Sequence, residues 1–156
     1  MNKESFFLIF SAVGVFPVAL AYGAYPSISL PLLYDIEITN NNLASVFRAL
    51  MGLYIAFNVF WFIGALNQLL RISALWSLFI FYTGAGAGRV LSIAFDGMPD
   101  TIFIIYLILE ILGSATSYWL VRGMQKSNWK IKEMIKRLFD WFKRTKLTDF
   151  GWIKTT

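Results

Sequence analysis

Arg48, Arg89 and Glu110 each interrupt a long apolar stretch of the chain, and they are the residues with the most chemistry to offer. A guanidinium is a rigid fork of donors that matches a carboxylate, a phosphate or a carbonyl, and a carboxylate can pair with it or carry a proton. In hydrocarbon either charge is costly unless paired or wetted, so each marks a candidate site. Helical steps of three, four and seven put Arg89 on one face with Tyr82, Ala85, Ser92 and Asp96, and Glu110 with Phe103, Tyr106, Gly113, Ser114 and Ser117. Arg48 shares a face with Gly52. The set Arg48, Arg89, Asp96 and Glu110 is charge-balanced. It supports either an ion-pair network clamping the second, third and fourth apolar segments, or a pocket in which the arginines hold a polar head while Phe47, Tyr54, Tyr82, Phe103 and Tyr106 hold an apolar body.

Much other chemistry is excluded. The chain has no histidine and no cysteine, which removes imidazole acid–base catalysis, thiolate nucleophiles, disulfides and the common zinc, copper and haem ligand sets. No nucleophile or metal set surrounds Glu110, and no second carboxylate or histidine continues a proton relay from it. The expectation is a protein that is not an enzyme, with no metal. The run Gly84-Ala-Gly-Ala-Gly-Arg89 fails as a dinucleotide fingerprint, because the sixth position from Gly84 is Arg89 and from Gly86 is Leu91. It also lacks the Gly-Lys-Ser or Gly-Lys-Thr of a phosphate loop. In a membrane helix, Gly84 and Gly88 form a Gly-x-x-x-Gly pair. With Gly52, Gly86 and Gly113 they are the expected sites of close helix packing.

The elements that must carry these residues follow from composition. Hydrophobic residues make up 58% and charged residues only 15%, too few to coat a soluble globule, so the chain is an integral membrane protein. A span takes about 20 apolar residues. Four segments qualify, at about 5–24, 44–66, 72–95 and 101–121. The expected fold is all-α: a four-span transmembrane bundle over 1–124, followed by a basic tail, 125–156, with an amphipathic interfacial helix at about 129–147. Residues 25–43, with Pro26, Pro31, Asp35, Glu37 and three consecutive asparagines, read as an irregular loop. Ala19-Leu-Ala21 is a candidate signal-peptidase site, but Lys3 is offset by Glu4, so the first span is expected to be retained.

Charge sets the expected orientation. Residues 1–121 carry Lys3, Arg48, Arg71 and Arg89 against Glu4, Asp35, Glu37, Asp96, Asp100 and Glu110, while Lys and Arg dominate the tail. With four spans, Lys3, Arg71 and the tail fall on one side and Asp35, Glu37, Asp96 and Asp100 on the other, so both termini are expected to be cytoplasmic. In the tail, Ile131, Met134, Ile135, Leu138, Trp141 and Phe142 form an apolar face, and Lys130, Lys132, Lys136, Arg137, Lys143 and Arg144 form a membrane-surface face. No recognition fold accompanies that charge, so nucleic acid is not an expected partner.

These residues also resemble a known family of small bacterial inner-membrane proteins built on a four-helix domain of unknown function. The family's second span opens Arg-Ala-x-x-Gly-Gly, and here Arg48-Ala-Leu-Met-Gly-Leu53 keeps all but the second glycine. Its third span ends Gly-Arg-x-x-Ser-x-x-x-Asp-Gly-x-Pro, met by Gly88, Arg89, Ser92, Asp96, Gly97 and Pro99, and its fourth carries a glutamate, here Glu110. The resemblance covers Phe47 to Val121 and implies a bacterial inner-membrane location but no activity. The functional expectation is an accessory or scaffold subunit of a larger membrane assembly, its partners being the bilayer and other subunits or itself. The alternative is a binding or carrier protein for a lipophilic ligand with a polar head, a quinone or a lipid, at the Arg/Glu cluster.

Overall fold

The computed structural model describes residues 2–149, side chains at 127, 128, 130, 131 and 142–149 excepted. It is all-helical: α1 (Lys3–Gly23), α2 (Pro26–Tyr34), α3 (Asn41–Leu66), α4 (Arg71–Asp96) and α5 (Thr101–Asp149). Among the described residues, four segments are long and apolar enough to cross a membrane: α1, α3, α4 and the Thr101–Lys126 part of α5. The chain divides into two compact units, Met1–Val121 and Arg122–Thr156.

In the first unit α1 and α3 run antiparallel. At one end the Ser5 hydroxyl donates to the Ala65 carbonyl at 2.8 Å. At the other, Gly23 lies so near α3 that a Cβ there would come within 3.0 Å of the Arg48 Cα and the Phe47 carbonyl oxygen. Helices in lipid gain little from the hydrophobic effect between them, so contacts this close are what hold them together.

The α3–α4 hairpin is tied in the same way. Gly64 packs directly on the Ala74 Cβ. Trp61 is completely buried, and its indole N–H donates to Ser77 at 3.0 Å, which satisfies that donor inside the seam. Arg71, 7% exposed, donates through Nη2 to the same Ala65 carbonyl that accepts from Ser5. A cation on the last-turn carbonyls of α3 suits the negative end of that helix.

Residues Pro26–Tyr34, expected as irregular chain, form a helix instead. Pro26 sits at its start, where a missing N–H costs nothing. Asp35 closes it in the left-handed conformation at φ 53°, with Ile36 N–H returning to the Leu30 carbonyl. α2 buries Leu30 completely and leaves Tyr34 only 5% exposed. It is too short to span and acts as a cap on the Gly23 end of the bundle. In the second unit, Met134, Ile135, Leu138, Phe139 and Trp141 are exposed, as are Lys132, Lys136 and Arg137. The helical pitch sets these apolar and basic groups on separate arcs.

Candidate functional site

α4 turns Leu75, Leu78, Tyr82, Gly86 and Arg89 to the interior, one residue every three or four positions. Gly86 lets α5 approach: a Cβ there would sit 3.7 Å from the Glu110 Cβ. One turn on, Arg89 Nε donates to both carboxylate oxygens of Glu110, at 2.9 and 3.0 Å. The pair is largely buried, the side chains being 18% and 10% exposed. The guanidinium carbon lies 5.5 Å from the Phe103 ring centre and 5.3 Å from that of Tyr106, so α5 supplies both the counter-ion and two aromatic faces for the cation.

Tyrosines from four helices gather around this pair. Tyr22 of α1 lies 5.5 Å from Tyr34 and 5.6 Å from Tyr54, ring centre to ring centre, and its phenol interacts with the Arg89 guanidinium. Tyr34 and Tyr106 share a long hydroxyl–hydroxyl hydrogen bond of 3.3 Å. Burial, reinforced by the Tyr106 hydroxyl, pushes the Tyr34 phenol above its ordinary range, so it is a neutral donor and acceptor.

Beside the ion pair is a cavity of about 270 Å³. Phe7, Phe10, Gly14, Val15 and Val18 of α1 form one wall and Leu109, Leu112 and Gly113 of α5 another, with Phe81 and Tyr82 of α4 between them. Ser11, Tyr54, Arg89, Tyr106, Glu110 and Thr116 supply the polar atoms. Phe10, Leu109 and Leu112 are more than half exposed, so the cavity opens sideways on the flank that lipid would cover.

Of the four clustered charges expected from the sequence, the fold joins two. Asp96 accepts a hydrogen bond from Ser92 within its own helix at 2.9 Å and is exposed, and Arg48 is exposed on α3 and joins neither pair. Both lie near helix ends, where a charged tip reaches polar surroundings unaided. Tyr54, Tyr82 and Tyr106 do line the cavity; Phe103 covers Arg89 instead, and Phe47 packs on Tyr22.

Among the five glycines expected at helix contacts, Gly86 and Gly113 are in them. A Cβ on Gly113 would lie 2.6 Å from the Tyr82 ring. Gly52, Gly84 and Gly88 face open space instead. At 100° per residue, Gly84 and Gly88 stand on the side of α4 opposite Gly86. Gly88→Leu is therefore expected to cost the isolated bundle nothing in thermal unfolding in detergent and, by removing a helix glycine, to stabilise it by up to about 1 kcal/mol. A loss instead would reveal a neighbour on that face. Two close-packing glycines, Gly23 and Gly64, carry no spacing signal in the sequence. The α1 contribution was missed in the sequence; its one signal there is that Ser11, Val15, Val18 and Tyr22 recur at helical spacing. Of the membrane-surface set, Lys132, Lys136 and Arg137 are exposed, while Lys130, Lys143 and Arg144 lie outside the described residues.

A family model described as a domain of unknown function (DUF4345) matches residues 4–121. The match takes in the first helix, which the motif resemblance did not reach, and ends where the first compact unit ends. No curated protein and no solved structure matches.

Proposed function

The chain belongs to the DUF4345 family, a domain of unknown function, and we propose that its bundle binds a lipophilic molecule with a polar head that enters sideways from the bilayer. The observation that carries this reading is the cavity itself: apolar walls open to the lipid flank, and an Arg89–Glu110 pair with phenolic hydroxyls at its polar end. Concave, mostly apolar sites with a few convergent polar groups are the usual form of small-molecule sites, although about 270 Å³ is at the small end and fits a ring or part of one chain rather than a two-tailed lipid. The accessory-subunit reading draws on exposed apolar faces, which lipid covers as well as protein does, so no single observation favours it.

Orientation is part of the proposal. Lys3 and Arg71 lie at one end of the bundle and Asp96 and Asp100 at the other, and Trp119, near the end of the last span, lies under Lys3; in sequence the basic tail comes next. The positive-inside tendency then makes both termini cytoplasmic, in the bacterial inner membrane that the motif resemblance implies.

Gly14 provides the test. It lines the cavity, and a Cβ there would meet nothing within 4 Å. Gly14→Leu should fill the space without strain and favour the helix, so the bundle stays folded. We expect native mass spectrometry of protein extracted in mild detergent to find a bound lipophile on the parent chain and at least about tenfold less on Gly14→Leu, which corresponds to about 1.4 kcal/mol. Equal occupancy in a folded Gly14→Leu protein would sink the proposal.

A further inference from the structure

We infer that this cavity selects an uncharged head group, a ring carbonyl or ring hydroxyl on an alkyl or isoprenyl chain, over a carboxylate, phosphate or amine head. The inference rests on the binding reading above and narrows it.

The first step is charge. A single Arg89 N–H, on Nε, donates to both Glu110 oxygens, and the two opposite charges leave the polar end of the cavity with no net charge. The remaining lining residues are apolar, aromatic or hydroxyl-bearing, and none of them is charged. An anionic head therefore has two ways in. It can lie beside a neutral pair in a low-dielectric space with no counter-charge, or it can take Arg89 away from Glu110 and leave that carboxylate buried and unpaired. A cationic head meets the mirror image of the same choice. The Phe103 and Tyr106 rings, 6.4 Å apart, also crowd one side of the guanidinium.

The second step is what remains on offer. Tyr54 brings a hydroxyl, while Tyr106 shares its hydroxyl with Tyr34 and Tyr82 with Ser11; a hydroxyl in such a pair keeps one donor or acceptor function, which suits a head that is itself a carbonyl or a hydroxyl. Thr116 is less available, because its hydroxyl donates to the Leu112 carbonyl. The third step is shape. Phe81 and Tyr82 lie 5.9 Å apart, centre to centre, with Tyr54 4.9 Å from Phe81, so the α4 wall is made of ring faces and edges. A flat ring packs against such a wall by stacking or edge contacts that a tetrahedral phosphate cannot make.

The test uses the full chain in mild detergent and two probes with the same tail, a decyl-substituted benzoquinone and decyl phosphate, with binding measured by equilibrium dialysis and Gly14→Leu as background. The parent chain is expected to bind the quinone at least about tenfold more tightly than the phosphate. Glu110→Gln keeps a carbonyl oxygen for Arg89 Nε but removes the balancing charge, so it should reverse the order and prefer the phosphate. The double variant Arg89→Gln with Glu110→Gln has no charge to offer and should keep the preference for the quinone, which serves where the single variant does not fold. Equal binding of both probes by the parent chain, or tighter binding of the phosphate, overturns the selectivity and leaves the binding reading standing. Binding of neither probe above background overturns the binding reading, and this inference falls with it.

Discussion

Glu110→Leu is expected to lower the stability of the bundle by about 3–5 kcal/mol, the largest effect of any single side-chain removal at the site. The cause is less the lost attraction than what is left behind. Arg89 cannot lose its proton, and its side chain, 18% exposed beside Phe103 and Tyr106, would keep its charge in a space with no other acid lining it. Some of that cost can be relieved by the arginine uncurling toward the Asp96 end of α4, which favours the lower part of the range. Arg89→Met alone should be comparably damaging, since it strands the carboxylate.

Combining Arg89→Met with Glu110→Leu removes both charges at once, and apolar replacement of a whole buried pair is often neutral or stabilising. Most of the loss should then be recovered. A double-mutant cycle read by thermal unfolding in detergent measures this directly: coupling of at least about 2 kcal/mol is expected, and additive single effects would mean that the pair does not clamp α4 to α5. Asp96→Asn is the control, because Asp96 is exposed and accepts only from Ser92 on its own helix, and it should cost under about 0.5 kcal/mol.

The contrast between Glu110 and Asp96 shows what could and could not be read before the fold was known. Four spans were legible because an apolar stretch of about 20 residues has few other uses, and the helices cover those stretches to within a few residues. Depth along a helix was legible for the same reason. Azimuth was not. Arg89 could have reached Glu110 or Asp96 by length alone, and Gly86, by admitting α5, decides for Glu110. The glycines carry the same lesson. The spacing of Gly84 and Gly88 defines a shared face, but nothing in that spacing says whether the protein or the lipid covers it, and here the covered face is the opposite one, with Gly86.

α2 was misread because proline was taken as a breaker wherever it occurred. Pro26 is at a helix start, and the helix runs on past Pro31 in its interior to Tyr34, so the segment becomes a cap that carries Tyr34 to Tyr106. The cavity itself needed the fold. Ser11 and Gly14 come from the first helix, nearly a hundred positions before Glu110, and only the packing of α1, α4 and α5 brings them together.

The second large effect lies at the far end of the bundle from the ion pair. Gly64→Ala is expected to destabilise by about 1–3 kcal/mol, and Gly64→Leu to prevent the α3–α4 hairpin from closing. The new Cβ would collide with the Cβ of Ala74, which is completely buried and is the first atom of its side chain, so no rotamer change can move it away. The helices themselves must part. Parting them stretches the Trp61–Ser77 hydrogen bond and the Arg71–Ala65 contact, both in the same seam. It also moves Tyr82, two turns along α4 from Ala74 and wedged against Gly113, so the cavity should bind less well even though Gly64 does not line it. Ala74→Gly returns the missing space from the other side at the cost of a glycine in a helix, about 0.5–1 kcal/mol. The double variant should therefore regain part of the stability lost by Gly64→Ala and most of its binding. If Ala74→Gly instead adds its own loss to that of Gly64→Ala, in unfolding temperature and in bound lipophile alike, then the seam at Gly64 does not set the position of Tyr82.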